Sequence, residues 1–294
     1  MDMVAVQQVR SFNRTVAERI GALDDRFLRR GRPMGEARVL WEIGTDGVEV
    51  RGLRGRLQID SGYLSRVLRS LEGQRLVRVR TSTEDRRVRK AFLTKAGLSE
   101  RAELDKRSDD LAEHILTTLS ERQRKTLTAA MGEVERLLQA SMVSFAIEDP
   151  SSADAKWCFD QYFGELNARF DAGFDPALSI SADAQELTPP FGMLVIARLR
   201  GKTVGCGALK LHHAAPAELK RMWIAPSVRG LGLGRRLLGE LERHACKTGV
   251  AVLRLETNRA LSEAINLYRC SGYIEVDPFN NEPYAHHWFE KRLS

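Results

Sequence analysis

The sequence predicts two domains in series, a mostly helical one followed by an α/β one. Three observations carry that expectation. The chain has 294 residues, enough for two domains of about 150 each. Its apolar spacing changes from a helical period to short strand-like runs near 141–152, where SMVSFAIEDPSS supplies a Pro and little flexible linker. The net charge of +7 falls entirely within residues 1–145, and 146–294 balance to zero. With 43% hydrophobic and 29% charged residues, the composition supports buried cores and excludes a disordered or collagen-like chain. No run approaches the ~20 consecutive apolar residues of a membrane span, and the first residues lack a basic-then-apolar export signal. The expected location is therefore cytoplasmic, with no membrane partner. Cys158, Cys206, Cys246 and Cys270 form no CxxC pair, so neither a disulfide framework nor a metal site is expected. Cys206, Cys246 and Cys270 read as small buried residues.

In the first half, Pro33 precedes a helix (GEARVLWEIGTDG) stopped by Gly44 and Gly47, and a short helix follows over 48–57. Asp60 and Ser61 are good N-caps for 62–73, which places Leu64, Val67, Leu68 and Leu71 on one face. Ser61, Ser65, Arg66 and Arg69 lie opposite, where hydroxyl and guanidinium groups suit a DNA major groove. Val77 and Val79 then alternate with Arg78 and Arg80. After a polar tip at 81–85, a return strand over 86–94 carries Arg86, Arg87, Arg89 and Lys90, placed to reach phosphates or the minor groove. Residues 48–90 hold 12 basic and 5 acidic side chains, so the positive excess coincides with this helix and hairpin, the footprint of a polyanion partner. Ser120 and Gln123 form a capping box that opens a helix carrying Leu127, Met131, Val134 and Leu138.

The segments SRVLRSLEGQRLVRVR (65–80) and DRRVRKAFLT (85–94) resemble the MarR family of transcription regulators. The resemblance implies a winged helix-turn-helix domain over 1–142. It also implies double-stranded DNA as partner and a homodimer built from the first helix and the helices over 96–140, with Leu104, Leu111, Ile115 and Leu119 as an apolar stripe. Two other readings of the residues stay open: a wing that holds a protein partner, and a stripe that packs within one chain.

In the second half, strand-like runs at 193–200, 203–211, 217–224 and 251–256 alternate with helical stretches, the pattern of an α/β domain. After Pro226, the run Arg229, Gly230, Leu231, Gly232, Leu233, Gly234 opens a helix with Leu237, Leu238, Leu241 and Ala245 on one face, closed by Gly249. Glycines ahead of a helix let backbone N–H groups approach a phosphate, and the helix dipole favours the negative charge. The run lacks the Gly-Lys-Ser/Thr of a phosphate-binding P-loop and the acidic residue of a dinucleotide fold.

Arg229-x-x-Gly232-x-Gly234, with SEAINLYRCSGY (262–273) and the terminal HWFEKRL, resembles the GNAT N-acetyltransferases. The resemblance implies a central mixed sheet over 143–294 and acetyl-CoA as co-substrate. Its pyrophosphate would sit on the N–H groups of Arg229, Gly230, Leu231, Gly232, Leu233, Gly234 and Arg235. The pantetheine would lie between strands 217–224 and 251–256, near Asn258, with the thioester carbonyl on main chain at Met222, Trp223 and Ile224. Tyr268 is the expected proton donor to the thiolate, and Glu218 is a candidate base acting through water. Trp157, Phe159, Tyr162 and Phe163, with His212, His213, His286 and His287, are candidates for lining the site of an unidentified amine, either a small molecule or a protein lysine. A domain that senses acyl-CoA without turnover is the alternative.

Overall fold

The computed structural model describes residues 2–22, 27–81, 88–180, 182–212 and 216–293. They fall into two compact units, Met1–Met131 and Gly132–Ser294.

The first unit contains α1 (Met3–Arg19), α2 (Met34–Ile43), β1 (Val48–Glu49), α3 (Val50–Leu57), α4 (Ser61–Gly73), β2 (Val77–Thr81), β3 (Arg89–Leu93), α5 (Lys95–Thr117) and the start of α6 (Glu121–Ser141). The strands form one antiparallel sheet in the order β1-β3-β2. Asp60 caps α4 by accepting a hydrogen bond from the Tyr63 N–H at 2.8 Å. The expected face, Leu64, Val67, Leu68 and Leu71, is buried against Leu40, Ile43, Leu53 and Leu104. Each of these buried side chains contributes roughly 1.5–3 kcal/mol of burial energy, and that seats α4 with its polar face outward. Thr94 caps α5, accepting from the Gly97 N–H at 3.0 Å. The capping box at α6 forms as expected: the Ser120 N–H donates to Gln123 Oε1 at 2.9 Å and the Gln123 N–H to Ser120 Oγ at 3.4 Å. By contrast α1 buries none of its side chains, leaving Val4, Val9 and Phe12 exposed.

The second unit is a seven-stranded mixed sheet in the order β4-β5-β6-β7-β8-β10-β9. Its strands are β4 (Ser144–Glu148), β5 (Gly192–Leu199), β6 (Lys202–Lys210), β7 (Ala217–Ile224), β8 (Val252–Thr257), β9 (Ile274–Val276) and β10 (His287–Arg292), with helices α7 (Ala153–Arg169), α8 (Leu233–Lys247) and α9 (Ser262–Cys270). Alternation sorts β5 between two cores: Leu194 and Ile196 face Ala155 and Cys158 of α7, whereas Met193 and Val195 face Leu237, Leu238 and Leu241 of α8. Both faces of the sheet are thus covered. All neighbours pair antiparallel except β7 and β8, which run parallel and share only two register positions, Ala217 with Leu253 and Glu218 with Arg254. Beyond Glu218 the two strands part, and the gap between them makes the site.

Of the cysteines, Cys206 is buried as expected, but Cys246 and Cys270 are exposed. Both stand at the C-terminal ends of their helices, on the side away from the sheet-facing Leu241, Ala245, Ile265 and Tyr268. Among the described residues no helix is long and apolar enough to cross a membrane.

Candidate functional site

The strand β7 carries a bulge where it passes β6. Cys206 is opposite Trp223 and Ala208 is opposite Lys220, so the single Gly207 faces both Arg221 and Met222. Arg221 takes φ +53°, a left-handed conformation that costs a non-glycine residue about 1–2 kcal/mol. Gly207 leaves space for the side chains packed over the bulge, because a Cβ there would lie 2.8 Å from Leu241 Cδ1 and 2.9 Å from Met222 Sδ. The Cys206 thiol donates to the Arg221 carbonyl at 3.3 Å. In a trans peptide the C=O and the following N–H point in opposite directions, so the Met222 N–H is turned away from the core and toward the cleft that Met222 lines.

That cleft encloses about 800 Å³, open solvent included, and lies between β7, β8, α7, α9, the 170–180 segment, Ala182 and the 282–285 segment. Tyr268 and Glu256 both line it. The Tyr268 phenol is buried, and burial together with the nearby negative charge of Glu256 pushes its pKa well above the ordinary tyrosine value. It therefore stays protonated. Burial likewise raises Glu256, even though Lys220 Nζ bonds to it. Glu218 has the opposite fate: burial would raise it, but Lys220 Nζ at 2.8 Å and His212 Nε2 at 2.8 Å outweigh that and hold it below the usual carboxylate range. Glu218 is not among the residues lining the cleft.

Past the C-terminal end of β7, Gly230 (φ +76°) and Gly232 (φ +72°) turn the chain into α8. Gly232 occupies the N-cap position without a side chain. The Arg229 N–H is taken by the Pro226 carbonyl at 3.3 Å, and from Leu231 onward the first N–H with a backbone acceptor is that of Arg236, on the Gly232 carbonyl at 3.1 Å. The N–H groups of Leu231 to Arg235 consequently have no backbone acceptor among the described residues, and the helix dipole adds positive potential there. Leu233 anchors the turn in the core. Arg229 does not extend toward this opening: its Nε donates to the Ile224 carbonyl at 2.9 Å, and its Nη2 pairs with Glu165 of α7, which also accepts from Trp223 Nε1 at 2.8 Å. Arg229 clamps the loop rather than presenting a free cation. Arg235 is exposed beside the turn. Asn258 spends its amide internally, donating to the Tyr284 carbonyl at 2.7 Å and accepting from the Ala260 N–H at 2.8 Å.

Of the aromatic candidates, Tyr162 and Phe163 line the cleft. Phe159 lies beneath the Arg221 guanidinium, 4.2 Å from its ring centroid, and Trp157 packs edge-on against Trp223 at 5.7 Å. The histidine expectation needs correcting, since no described histidine lines the cleft: His212 and His287 are bound to Glu218 and Glu275, His286 is exposed, and His213 lies outside the described residues. Sequence reasoning passed over Lys220, Arg221, Glu256 and Glu282, all of which line the site.

In the first unit, Ser61, Arg66 and Arg69 on α4 and Arg89 on β3 are exposed, with Ser65 half-buried beside them. Among the described residues none of these arginines has an ion-pair partner, so their charge is open to a polyanion. Arg86 and Arg87 lie outside the described residues.

The pattern of the acetyltransferase (GNAT) family matches residues 157–273, and that of the MarR family matches 33–88. The chain is 36% identical over 127 residues to a protein named IAA acetyltransferase from Azospirillum brasilense, covering 43% of this chain and 77% of that one. It is 35% identical over 127 residues to a protein named N-alpha-acetyltransferase RimI from Mycobacterium tuberculosis, covering 42% of this chain and 75% of that one. Similar solved structures include a GNAT-family acetyltransferase from Staphylococcus aureus (16% identity, TM-score 0.45, 51% of this chain and all of that one). Another is apo MarR from Escherichia coli (20% identity, TM-score 0.39, 42% and 93%).

Proposed function

The chain belongs to the acetyltransferase (GNAT) family and carries a MarR-family segment ahead of that domain, and from this premise we propose that it joins acetyl-CoA-dependent N-acetylation of an amine to binding of double-stranded DNA. The observation that carries the enzymatic reading is the pairing of two features in one unit. Unsatisfied N–H groups at the start of α8 suit a pyrophosphate, and the gap between β7 and β8 opens onto a protonated phenol and a buried carboxylate. The cofactor residues fit the group, because Gly232 leaves open space where a Cβ would stand. Acetyl-CoA when bound supplies the thioester.

We assign this chain's residues as follows. The Met222 N–H donates to the thioester carbonyl oxygen as it becomes an oxyanion. Glu256, lining the cleft where Glu218 does not, takes the amine's proton. Tyr268 protonates the departing thiolate. Glu218 holds Lys220, which in turn holds Glu256, and so positions the base. Arg229 positions the loop through Glu165. Acetyl-CoA turnover, followed as thiol release over a panel of amines, tests the assignment; binding without release on any amine favours the sensor alternative.

The Cys206 thiol is placed to fix the peptide that carries the Met222 N–H. Cys206→Ala is expected to lower kcat about two- to tenfold, the worth of one hydrogen bond, whereas Cys206→Ser, which keeps a donor, should recover most of the loss. Equal kcat for the alanine variant and wild type would remove Cys206 from this role.

For DNA, we propose that α4 enters the major groove and the β2–β3 hairpin meets the backbone, in a homodimer that covers the exposed apolar side chains of α1. Arg66→Ala should weaken a selected duplex more than a random one. Arg89→Ala should weaken both alike and reduce the salt slope by about one unit. Salt-titrated binding decides this, and absence of preference among any duplexes would turn the winged helix toward a protein partner.

A further inference from the structure

The acceptor end of the cleft is a wall of rings. From the bulge outward, the Phe163 ring centroid lies 5.4 Å from the Arg221 guanidinium carbon. Phe174 stacks on Phe163 at 5.6 Å with a 22° tilt, and Tyr284 follows Phe174 at 4.8 Å. Phe170 closes the group, edge-on to Phe174 at 5.8 Å and 5.8 Å from Tyr284. Three polar side chains at this end are already engaged within the chain. Glu282, 8% exposed, accepts from Ser179 Oγ at 2.9 Å, from the Ile180 N–H at 2.6 Å and from the Tyr284 N–H at 3.3 Å. The Tyr284 hydroxyl accepts from the Asp175 N–H at 2.9 Å, and both ends of the Asn258 amide are used within the chain.

A peptide entering here would bury its own N–H and C=O groups against rings, and each polar group left unpaired costs affinity. An aromatic ring would instead extend the wall at offset-stacked or edge-on spacing. The wall starts beside the bulge residue and spans two ring spacings. Phe163, Phe174 and Tyr284 line the same cleft as Met222, so a ring held on them shares that cleft with the Met222 N–H.

We propose that the acceptor is a primary amine carried on an aromatic ring through an alkyl linker, rather than a peptide N-terminus or a lysine side chain. The inference rests on the acetyl-transfer reading. In the step, the amine nitrogen bonds to the thioester carbonyl carbon and the C–S bond breaks. The neutral amine's proton passes to Glu256, the thiolate takes a proton from Tyr268, and the proton on Glu256 restores the phenol, so that amide and free thiol leave and both side chains return to their starting states.

The test uses the full chain with saturating acetyl-CoA and measures thiol release with 2-phenylethylamine, n-butylamine, a tripeptide with a free N-terminus, and Nα-acetyl-lysine amide. The expected result is a kcat/KM for 2-phenylethylamine about 10- to 100-fold above each of the others. Phe174→Leu is expected to shrink that ratio about tenfold through KM. A peptide or lysine amide turned over as well as 2-phenylethylamine overturns the inference, as does acetyl-CoA binding with no turnover of 2-phenylethylamine. So does a Phe174→Leu effect equal on all four amines. Absence of acetyl-CoA binding by calorimetry instead overturns the transfer reading on which the inference stands.

Discussion

Glu256→Gln is expected to lower kcat for amine acetylation by about 10²- to 10⁴-fold, the usual worth of a positioned base, with acetyl-CoA affinity little changed. The expectation follows from placement. Glu256 stands one residue before the end of the strand that has parted from β7, lines the cleft, and has a side chain only 9% exposed. Burial raises its pKa in spite of Lys220. The carboxylate works ionised, so wild-type activity should be present above this raised pKa and be lost as pH falls through it, at higher pH than an ordinary glutamate would give. The glutamine variant should lack that limb while keeping any limb due to the amine itself. Glu218→Gln is the informative comparison. Its carboxylate is held low by Lys220 and His212 and does not line the cleft, so its loss should act through Lys220 and cost less than tenfold. Full pH profiles of kcat/KM for both variants, with thermal midpoints to confirm folding, measure this. A glutamine variant with wild-type kcat would sink the assignment.

The contrast between those two glutamates marks where sequence reading stopped. Periodicity placed Leu64, Val67, Leu68 and Leu71 on the buried face of α4 and Leu237, Leu238 and Leu241 on that of α8, because a helix face is a local property. The glycine run before α8 was legible for the same reason. Glu218 and Glu256, however, are both strand glutamates beside apolar neighbours. Which of them meets the cleft depends on β7 and β8 separating after two register pairs, and parallel strands joined through a helix carry no local sign of where they part. The bulge at Arg221 had one faint signal, Gly207 in the middle of β6. The ring wall draws Phe163, Phe174 and Tyr284 from positions more than 100 residues apart at its extremes, beyond the reach of any window. Cys246 and Cys270 failed because composition predicts burial by residue type, whereas helix-end geometry decides it here.

Gly232→Asp is expected to weaken acetyl-CoA binding by at least about 100-fold, roughly 2.7 kcal/mol, without unfolding the domain. Two costs fall on the ligand. Gly232 sits at φ +72°, where any side chain is strained by about 1–2 kcal/mol. The new carboxylate would also stand at the N-cap of α8, where it can accept from the first-turn N–H groups that the pyrophosphate needs. That second effect keeps the fold intact: a carboxylate at an N-cap is favourable for the helix, and nothing lies within 4 Å of a Cβ at this position to be displaced. The same hydrogen bonds that steady the helix thus exclude a second anion. Gly232→Ala separates the terms, since it carries the backbone strain without the charge, and it should bind acetyl-CoA with an affinity between those of wild type and the aspartate variant. Calorimetric titration of the three proteins, with thermal unfolding alongside, gives both numbers. If the aspartate variant binds as tightly as wild type, the pyrophosphate does not rest on the start of α8, and the Arg229 to Gly234 turn serves only to join β7 to its helix.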